Sequence, residues 1–463
     1  MDRCSYPTTT TGKPCGNPVA PSSTRCAAGH PVSRAGGNLR AEPHSPASGA
    51  LDLDEIIAGA RWPAGIEQSA VWPGEGGITG GRPFRYEAHV PPPIAPLPLY
   101  LSGPTADAVA EAQRAIEHLE SGDGSRITQA LATPLLRVES LSSSRIEGLM
   151  VSHRTLAVAL ADPSSASVVA REVANSVTAT AAAITLFVNE GVLRPTVFSE
   201  VHQMLARGTV LGDIAGEVRT KQNWIGKSDR SPRKAAYVPP PPEHVPGLLA
   251  DLAAFSDRQD LPPLAVAAIA HAQFETIHPF GDGNGRVGRA IIHGILRRHG
   301  ATQRFAPPVS GALLASTDAY VSGLVAYRNG DVDRWLRLFA TEMTRASAAA
   351  ERLGSSLAKL EDAWMERARR PRAHSVANLA IHRLVEFPVV DVSALASHLR
   401  VDAETARRGM NALEASGIVR QVSAGRRNRV WIAEEAFALL DGFDELLAQG
   451  TTPRRHPTRG RRR

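Results

Sequence analysis

The chain has 463 residues, of which 43% are hydrophobic and 21% charged, a balance typical of soluble globular proteins and a length that suggests about three domains. Only three cysteines occur, all in the first thirty residues, which excludes a disulfide framework for the body of the protein. No apolar run approaches the roughly 18 residues of a membrane span, and the N-terminus lacks an apolar signal core, so a cytoplasmic protein with no membrane contact is expected.

Residues 1–30 carry Cys4, Cys15, Cys26 and His30. Three thiolates and an imidazole would complete a tetrahedral Zn²⁺ shell, and a segment too short for a core often relies on such a metal. The gaps are looser than in paired zinc-finger spacing, so chance spacing stands beside structural zinc. Residues 31–95 are rich in Pro, Gly and Ser and read mostly as linker, with ordered pieces around Leu51–Ala60 and Arg82–Val90.

Helical periodicity then begins. Ala106–Leu119, Pro134–Met150, Ser165–Asn189 and Thr196–Ala206 are expected helices. In Gly216–Pro242, the residues Val218, Trp224, Ile225, Tyr237 and Val238 alternate with polar and turn residues. That pattern predicts a β-hairpin with a basic tip at Lys227, Arg230, Arg233 and Lys234. Helices resume over Val245–Ser256, Leu264–Ile277 and Arg286–His299. The expected divisions are an N-terminal helical domain at 96–165, a core at 166–350 and a connecting helix and linker at 351–375.

The C-terminal unit, 376–440, reads as helix (Val392–Leu399), turn, helix (Ala403–Ser416) and hairpin (Val419–Val422 with Arg429–Ile432). This order resembles a winged helix-turn-helix. Bound to DNA, Arg407 and Arg408 would face the groove and Arg426, Arg427 and Arg429 the phosphates; the rival use is protein contact. The net charge of +6 is concentrated in the tail 451–463, with Arg454, Arg455, Arg459, Arg461, Arg462 and Arg463. Such a block is usually a solvated, disordered tail, and its alternative is nonspecific attraction to nucleic acid.

The chemistry lies in residues 278–289, His-Pro-Phe-Gly-Asp-Gly-Asn-Gly-Arg-Val-Gly-Arg. Pro279 disfavours helix at the residue before it, so one helix stops there and another starts near Arg286. Between them the glycines allow a tight loop whose backbone can approach a ligand, and a helix start attracts phosphate. Arg286 and Arg289, three apart, can aim at one polyphosphate. Asp282 can hold Mg²⁺ against phosphate oxygens, and His278 can take a proton from a hydroxyl near neutral pH. Phe280, apolar in a polar loop, reads as a core anchor. Base, metal ligand, anion cradle and two cations together describe phosphoryl or nucleotidyl transfer.

This string resembles the Fic family motif at every defined position. The resemblance implies a mainly α fold: an all-helical core with a β-hairpin flap, beside the winged helix-like domain and the small N-terminal Cys/His segment. It also implies transfer of AMP from ATP to a Ser, Thr or Tyr hydroxyl of a protein. By resemblance His278 is the general base and Asp282 the Mg²⁺ ligand. Gly283, Asn284 and Gly285 hold phosphates, Arg286 the β-phosphate region and Arg289 the γ-phosphate. The stretch from Gly216 to Gly226 is similar to the family's target-clamping flap.

Ser143-Ser144-Arg145-Ile146-Glu147-Gly148 is similar to the family's inhibitory pattern, with Ser143 and Glu147 on one helix face and Gly148 a natural cap. Glu147 paired with Arg289 would deny the γ-phosphate its partner. The implied partners are ATP, an acceptor protein, the chain itself as a target of self-modification, and further copies in a homo-oligomer. The sequence also admits two other functions: removal of AMP with Glu147 orienting water, and a DNA-binding regulator whose core senses nucleotide.

Overall fold

The protein is described from a computed structural model, which covers residues 62–73, 82–121, 130–164, 166–226, 230–422 and 429–449. Cys4, Cys15, Cys26, His30, the segment Leu51–Ala60, Lys227, Arg426, Arg427 and the tail 451–463 lie outside these. The described residues belong to one unit, Gly59–Arg463.

The first elements are two antiparallel strands, β1 (Ile66–Trp72) and β2 (Phe84–Val90), paired from Ile66 opposite Val90 to Trp72 opposite Phe84. This corrects the expectation of linker over 31–95. Ordered structure at 84–90 was expected, and its partner strand was not. The hairpin does not stand alone: the His89 N–H donates to the Val238 carbonyl at 2.9 Å, Trp72 meets Trp224 edge to face at 5.2 Å, and Arg233 lies 4.1 Å over the Phe84 ring.

Helices dominate thereafter: α1 (Gly103–Ser121), α2 (Ala132–Ile146), α3 (His153–Ala161), α4 (Val168–Asn189), α5 (Thr196–Ala206), α6 (Val245–Ser256), α7 (Pro263–Ile277), α8 (Asn284–Arg298), α9 (Val309–Ala315), α10 (Thr317–Arg328) and α11 (Val332–Arg367). Ser152, Ser167 and Asp331 accept from backbone amides of the first turns of α3, α4 and α11 and so fix where those helices begin. α3 is an element the sequence reading lacked. α11 runs unbroken for 36 residues across the expected boundary at 350.

The expected hairpin at Gly216–Pro242 is less regular than predicted. One antiparallel bridge, Ile225 with Tyr237, is its β structure among the described residues. Side chains take the place of ladder partners. Gln222 Nε2 donates to the Pro239 carbonyl and Arg219 Nη2 to that of Pro240, both at positions flanked by prolines that have no N–H to return.

After α11 come α12 (Val376–Glu386), β3 (Val389–Asp391), α13 (Val392–Leu399), α14 (Ala403–Ala415), β4 (Arg420–Gln421), β5 (Val430–Ile432) and α15 (Glu434–Ala448). β5 lies between β3 and β4, antiparallel to both.

Two principal cores result. One gathers α1, α4 to α10 and the first half of α11 around Phe198, Phe274, Ile291 and Trp335. The other joins Leu131, Leu135 and Val138 at the base of α2 to Leu357 and Trp364 of α11 and to the C-terminal helices. α2 is therefore rooted in the second core while its far end reaches the first. No single helix among the described residues is long and apolar enough to cross a membrane.

Candidate active site

The sequence string 278–289 forms the end of α7, a loop and the start of α8. His278 closes α7 in the left-handed region (φ 50°), unusual for a residue with a Cβ. Two bonds hold it there: its N–H donates to the Phe274 carbonyl at 2.9 Å, and its own carbonyl accepts from Arg219 Nε at 2.9 Å. Burial pushes the His278 imidazole down to about 4, helped by the positive charges of Arg328 and Arg219, so it is neutral at pH 7.

Phe280 is fully buried and Asn284 accepts from its N–H and donates to its carbonyl, which locks the loop to the first turn of α8. Gly283 caps α8 with φ 77°, a conformation that favours glycine. Asp282 sits exposed at the loop tip, one carboxylate oxygen accepting from the Gly283 N–H. The first-turn amides of α8 have no intrahelical acceptors and point their positive end at this loop.

Arg286 is 6% exposed, yet its Nε and Nη1 have no hydrogen-bond partner; the nearest carboxylate oxygen, on Glu172, is 3.9 Å from Nη1. A guanidinium buried without partners is costly unless an anion completes it. Arg289, 1% exposed, is by contrast fully engaged. Its Nε donates to Ser143 Oγ at 2.9 Å, and its Nη2 to the Ser143 carbonyl at 2.9 Å and to Glu147 Oε1 at 2.7 Å. Burial would raise the Glu147 carboxyl, but Arg289, Arg286 and His278 outweigh it and hold it below the usual range. On the other side, burial would lower Arg289, and Glu147, Tyr320 and Glu275 raise it instead. The Glu147 side chain remains 37% exposed, so solvent screens this pair on one side. Glu147 is not within the helix, as expected, but is its C-cap, with Gly148 following at φ 83°. Gly285 makes room for it: a Cβ there would lie 2.0 Å from Glu147 Oε1.

The structure thus brings His278, Asp282, Gly283, Asn284, Gly285, Arg286, Arg289, Ser143 and Glu147 to one place. Among the described residues no three His, Cys, Asp or Glu side chains form a metal-binding group. Several contributors carry no individual role in the sequence, although Arg219, Asn223 and Tyr237 fall within the expected flap. Arg219, 8% exposed and pushed down to about 10 by burial, also donates to the Ile277 carbonyl; Asn223 donates to the Phe280 carbonyl. Arg328 lies 3.6 Å over the Tyr237 ring, and Tyr237 donates to the Thr276 carbonyl. Glu275, buried one turn before His278, is pushed up to about 7 by burial. His202 of α5 stacks on Phe280 with ring centroids 4.1 Å apart. Its signal was a histidine on the apolar face of a helix, four residues after Phe198.

Two family models match the chain: Fic/DOC family over residues 193–296 and Fic/DOC family N-terminal over 106–185. Residues 106–185 and 193–296 are thus of the Fic/DOC family. Within it, the protein adenylyltransferase fic-1 of Caenorhabditis briggsae is 33% identical over 129 residues, 27% of this chain and 22% of the relative. A probable protein adenylyltransferase of Aquifex aeolicus is 40% identical over 75 residues, 16% of this chain and 23% of its own. The chain therefore spans about a quarter of these relatives' length. A solved Fic family protein from Desulfovibrio desulfuricans G20 is similar over 72% of this chain and 97% of its own, at 20% identity and a TM-score of 0.47. The Fic match ends within α8 and includes the whole 278–289 loop.

Proposed function

We propose that this chain is a protein adenylyltransferase restrained by its own Glu147. The observation that carries it is the unequal pair of arginines on α8: Arg286 buried with two unpartnered nitrogens, and Arg289 beside it occupied by Glu147. A polyphosphate fits the first and competes for the second. In the reaction, the acceptor hydroxyl oxygen attacks the α-phosphorus of ATP, its proton passes to His278, and the bond to the β-phosphate oxygen breaks to release pyrophosphate.

Gly283, Asn284 and Gly285 hold phosphates through the helix start, Arg286 takes the β-phosphate region and Arg289 the γ-phosphate. Asp282 would hold Mg²⁺, which neutralises phosphate charge; one exposed carboxylate suffices, because this ion draws its other ligands from phosphate and water. Ser143 and Glu147 deny Arg289 to the nucleotide until the end of α2 moves. The flap, with a single bridge in its described part, leaves backbone groups to pair with an extended target.

For the C-terminal unit we infer a winged helix-like module that makes contacts within the chain rather than with DNA. Arg407 is bonded to Glu404 at 2.6 Å and Arg408 to Thr405, so neither is presented alone to a phosphate. Meanwhile Asp444 of α15 holds Arg145 of α2 at 2.5 Å and His153 of α3 at 3.0 Å.

The deciding experiment is intact-protein mass after incubation with Mg²⁺ and ATP. Wild type, Glu147→Gly, and Glu147→Gly with His278→Ala are compared. A gain of AMP masses in the Glu147→Gly single variant alone supports base, brake and self-modification together. If that variant labels neither itself nor any protein in a lysate, the transferase reading fails. Loss of AMP from pre-labelled protein only while Glu147 is present would favour the reverse reaction.

A further inference from the structure

His202 does more than fill the core. The ring is completely buried and lies nearly parallel to Phe280, 10° between planes. Its Nδ1 is 2.9 Å from the backbone nitrogen of Gly216, and its Nε2 is 3.1 Å from the Asp282 carbonyl oxygen. Those partners leave no choice of tautomer. The Gly216 N–H can only donate, so Nδ1 carries a lone pair; the Asp282 carbonyl can only accept, so Nε2 carries the proton.

Gly216 is where the flap begins, in the left-handed region at φ 77°, packed on the Ser199 carbonyl of the same helix α5. Asp282 and Gly283 are the tip of the loop at the start of α8, and a Cβ on Gly283 would lie 3.5 Å from the His202 ring. One side chain thus spans the two halves of the site.

We infer that His202 is a positioning residue whose two ring nitrogens set the start of the flap and the Asp282 peptide at a fixed mutual distance. The consequence for transfer rests on the adenylyltransferase reading; the bridge itself does not. His202 touches no reacting atom. It acts through Asp282 on the nucleotide side and through Gly216 on the target side.

The two nitrogens can be tested separately, in the full-length Glu147→Gly chain. His202→Phe keeps the stack on Phe280 and loses both bonds. His202→Gln retains a donor near the Nε2 position, and His202→Asn retains an acceptor near the Nδ1 position. Two readouts apply: the Mg²⁺ concentration for half-maximal ATP binding, and hydrogen exchange of the peptide containing Gly216. His202→Phe should raise the first by about tenfold and the second by a similar factor, the usual loss of a buried bond near a charged group. His202→Gln should restore the Mg²⁺ response alone, and His202→Asn the Gly216 protection alone.

A merely structural histidine would move both readouts together in all three variants, in step with the fall in melting temperature, and that result overturns the inference. So would nitrogen NMR showing the proton on Nδ1 in the parent, with the His202 signals assigned by their loss in the variants. Because binding, exchange and tautomer are read without turnover, they decide the bridge even if no AMP is transferred.

Discussion

The loop between α7 and α8 and the flap that leans on it are neighbours built on opposite principles. In the loop, every turn is fixed by backbone geometry: His278 in the left-handed region, Gly283 at φ 77°, and Asn284 bonded twice to Phe280. The flap has a single bridge among its described residues and is held at its base by Arg219, Gln222 and Asn223 reaching for carbonyls. Rigid helix ends suit a step that needs atoms placed to a fraction of an ångström. An under-paired strand suits a partner that completes it. The difference teaches that precision and adaptability are assigned here to separate segments, with Arg219 and His202 as the joints.

The sharpest way to break the comparison is at the loop. His278→Ala should lower transfer by the Glu147→Gly chain by about a hundredfold or more, the usual contribution of a positioned base. Because burial and two arginines hold His278 near 4, transfer by the parent base should stay level as pH falls from 7 to 5. A histidine of ordinary affinity would show an inflection near pH 6.5, and a pH profile of kcat/KM decides between them.

Next in size is the brake. Glu147→Gly should raise transfer about 5- to 150-fold, the range of regulatory couplings. Asp444→Asn removes the carboxylate that holds Arg145, two residues before Glu147, and should raise transfer several-fold in the otherwise native chain. Added to Glu147→Gly it should change nothing further, since both act on one pair; comparing initial rates of the four proteins tests this.

At the flap the expected effect is smaller and different in kind. Arg219→Lys loses the fork that serves the Ile277, His278 and Pro240 carbonyls. Exchange of flap amides should quicken while ATP binding changes less than threefold; equal losses in both would mean the two regions are not separable.

Much of this division was legible in the sequence. The twelve residues 278–289 announce their loop because Pro279 and three glycines break two strongly apolar helices at fixed points. The bounds of α5 and α6 matched, since apolar periodicity there is strong. Ser143 and Glu147 were singled out by their likeness to the family's inhibitory pattern, their spacing alone being a weak signal, and both do meet Arg289. Other parts left weaker signals. α3 is only nine residues and follows α2 by a short turn, too brief for a clear period. β1 lies in Pro- and Gly-rich sequence, and it is ordered by Trp224 and the flap, which local pattern cannot foresee. His202 carries only the pattern of a core histidine, because its partners are backbone groups far away in sequence.

A last expected effect, on stability rather than transfer, concerns Glu275. Its folded carboxyl is held near 7 and the unfolded one titrates near 4.5, so it takes away stability as pH rises from 4.5 through 7. Glu275→Gln should match the parent at pH 4 and be more stable by about 1–3 kcal/mol at pH 8. Denaturant melts at the two pH values measure it, and equal stability at both would mean that the carboxyl ionises freely.

The unbroken α11 has a consequence for anyone who would treat this protein as interchangeable parts. Leu353 and Leu357 in its later turns lie in the second core, and Trp364 donates to Glu435 of α15. A cut after Arg370, the natural choice from composition, would strand those side chains in water and also remove Asp444. The catalytic half obtained that way would be sticky through its bared apolar stripe and altered in its restraint, so its behaviour would not be inherited from the whole. What looks like a hinge between modules is a shared spine, and grafting either half onto another protein would have to carry part of the other with it.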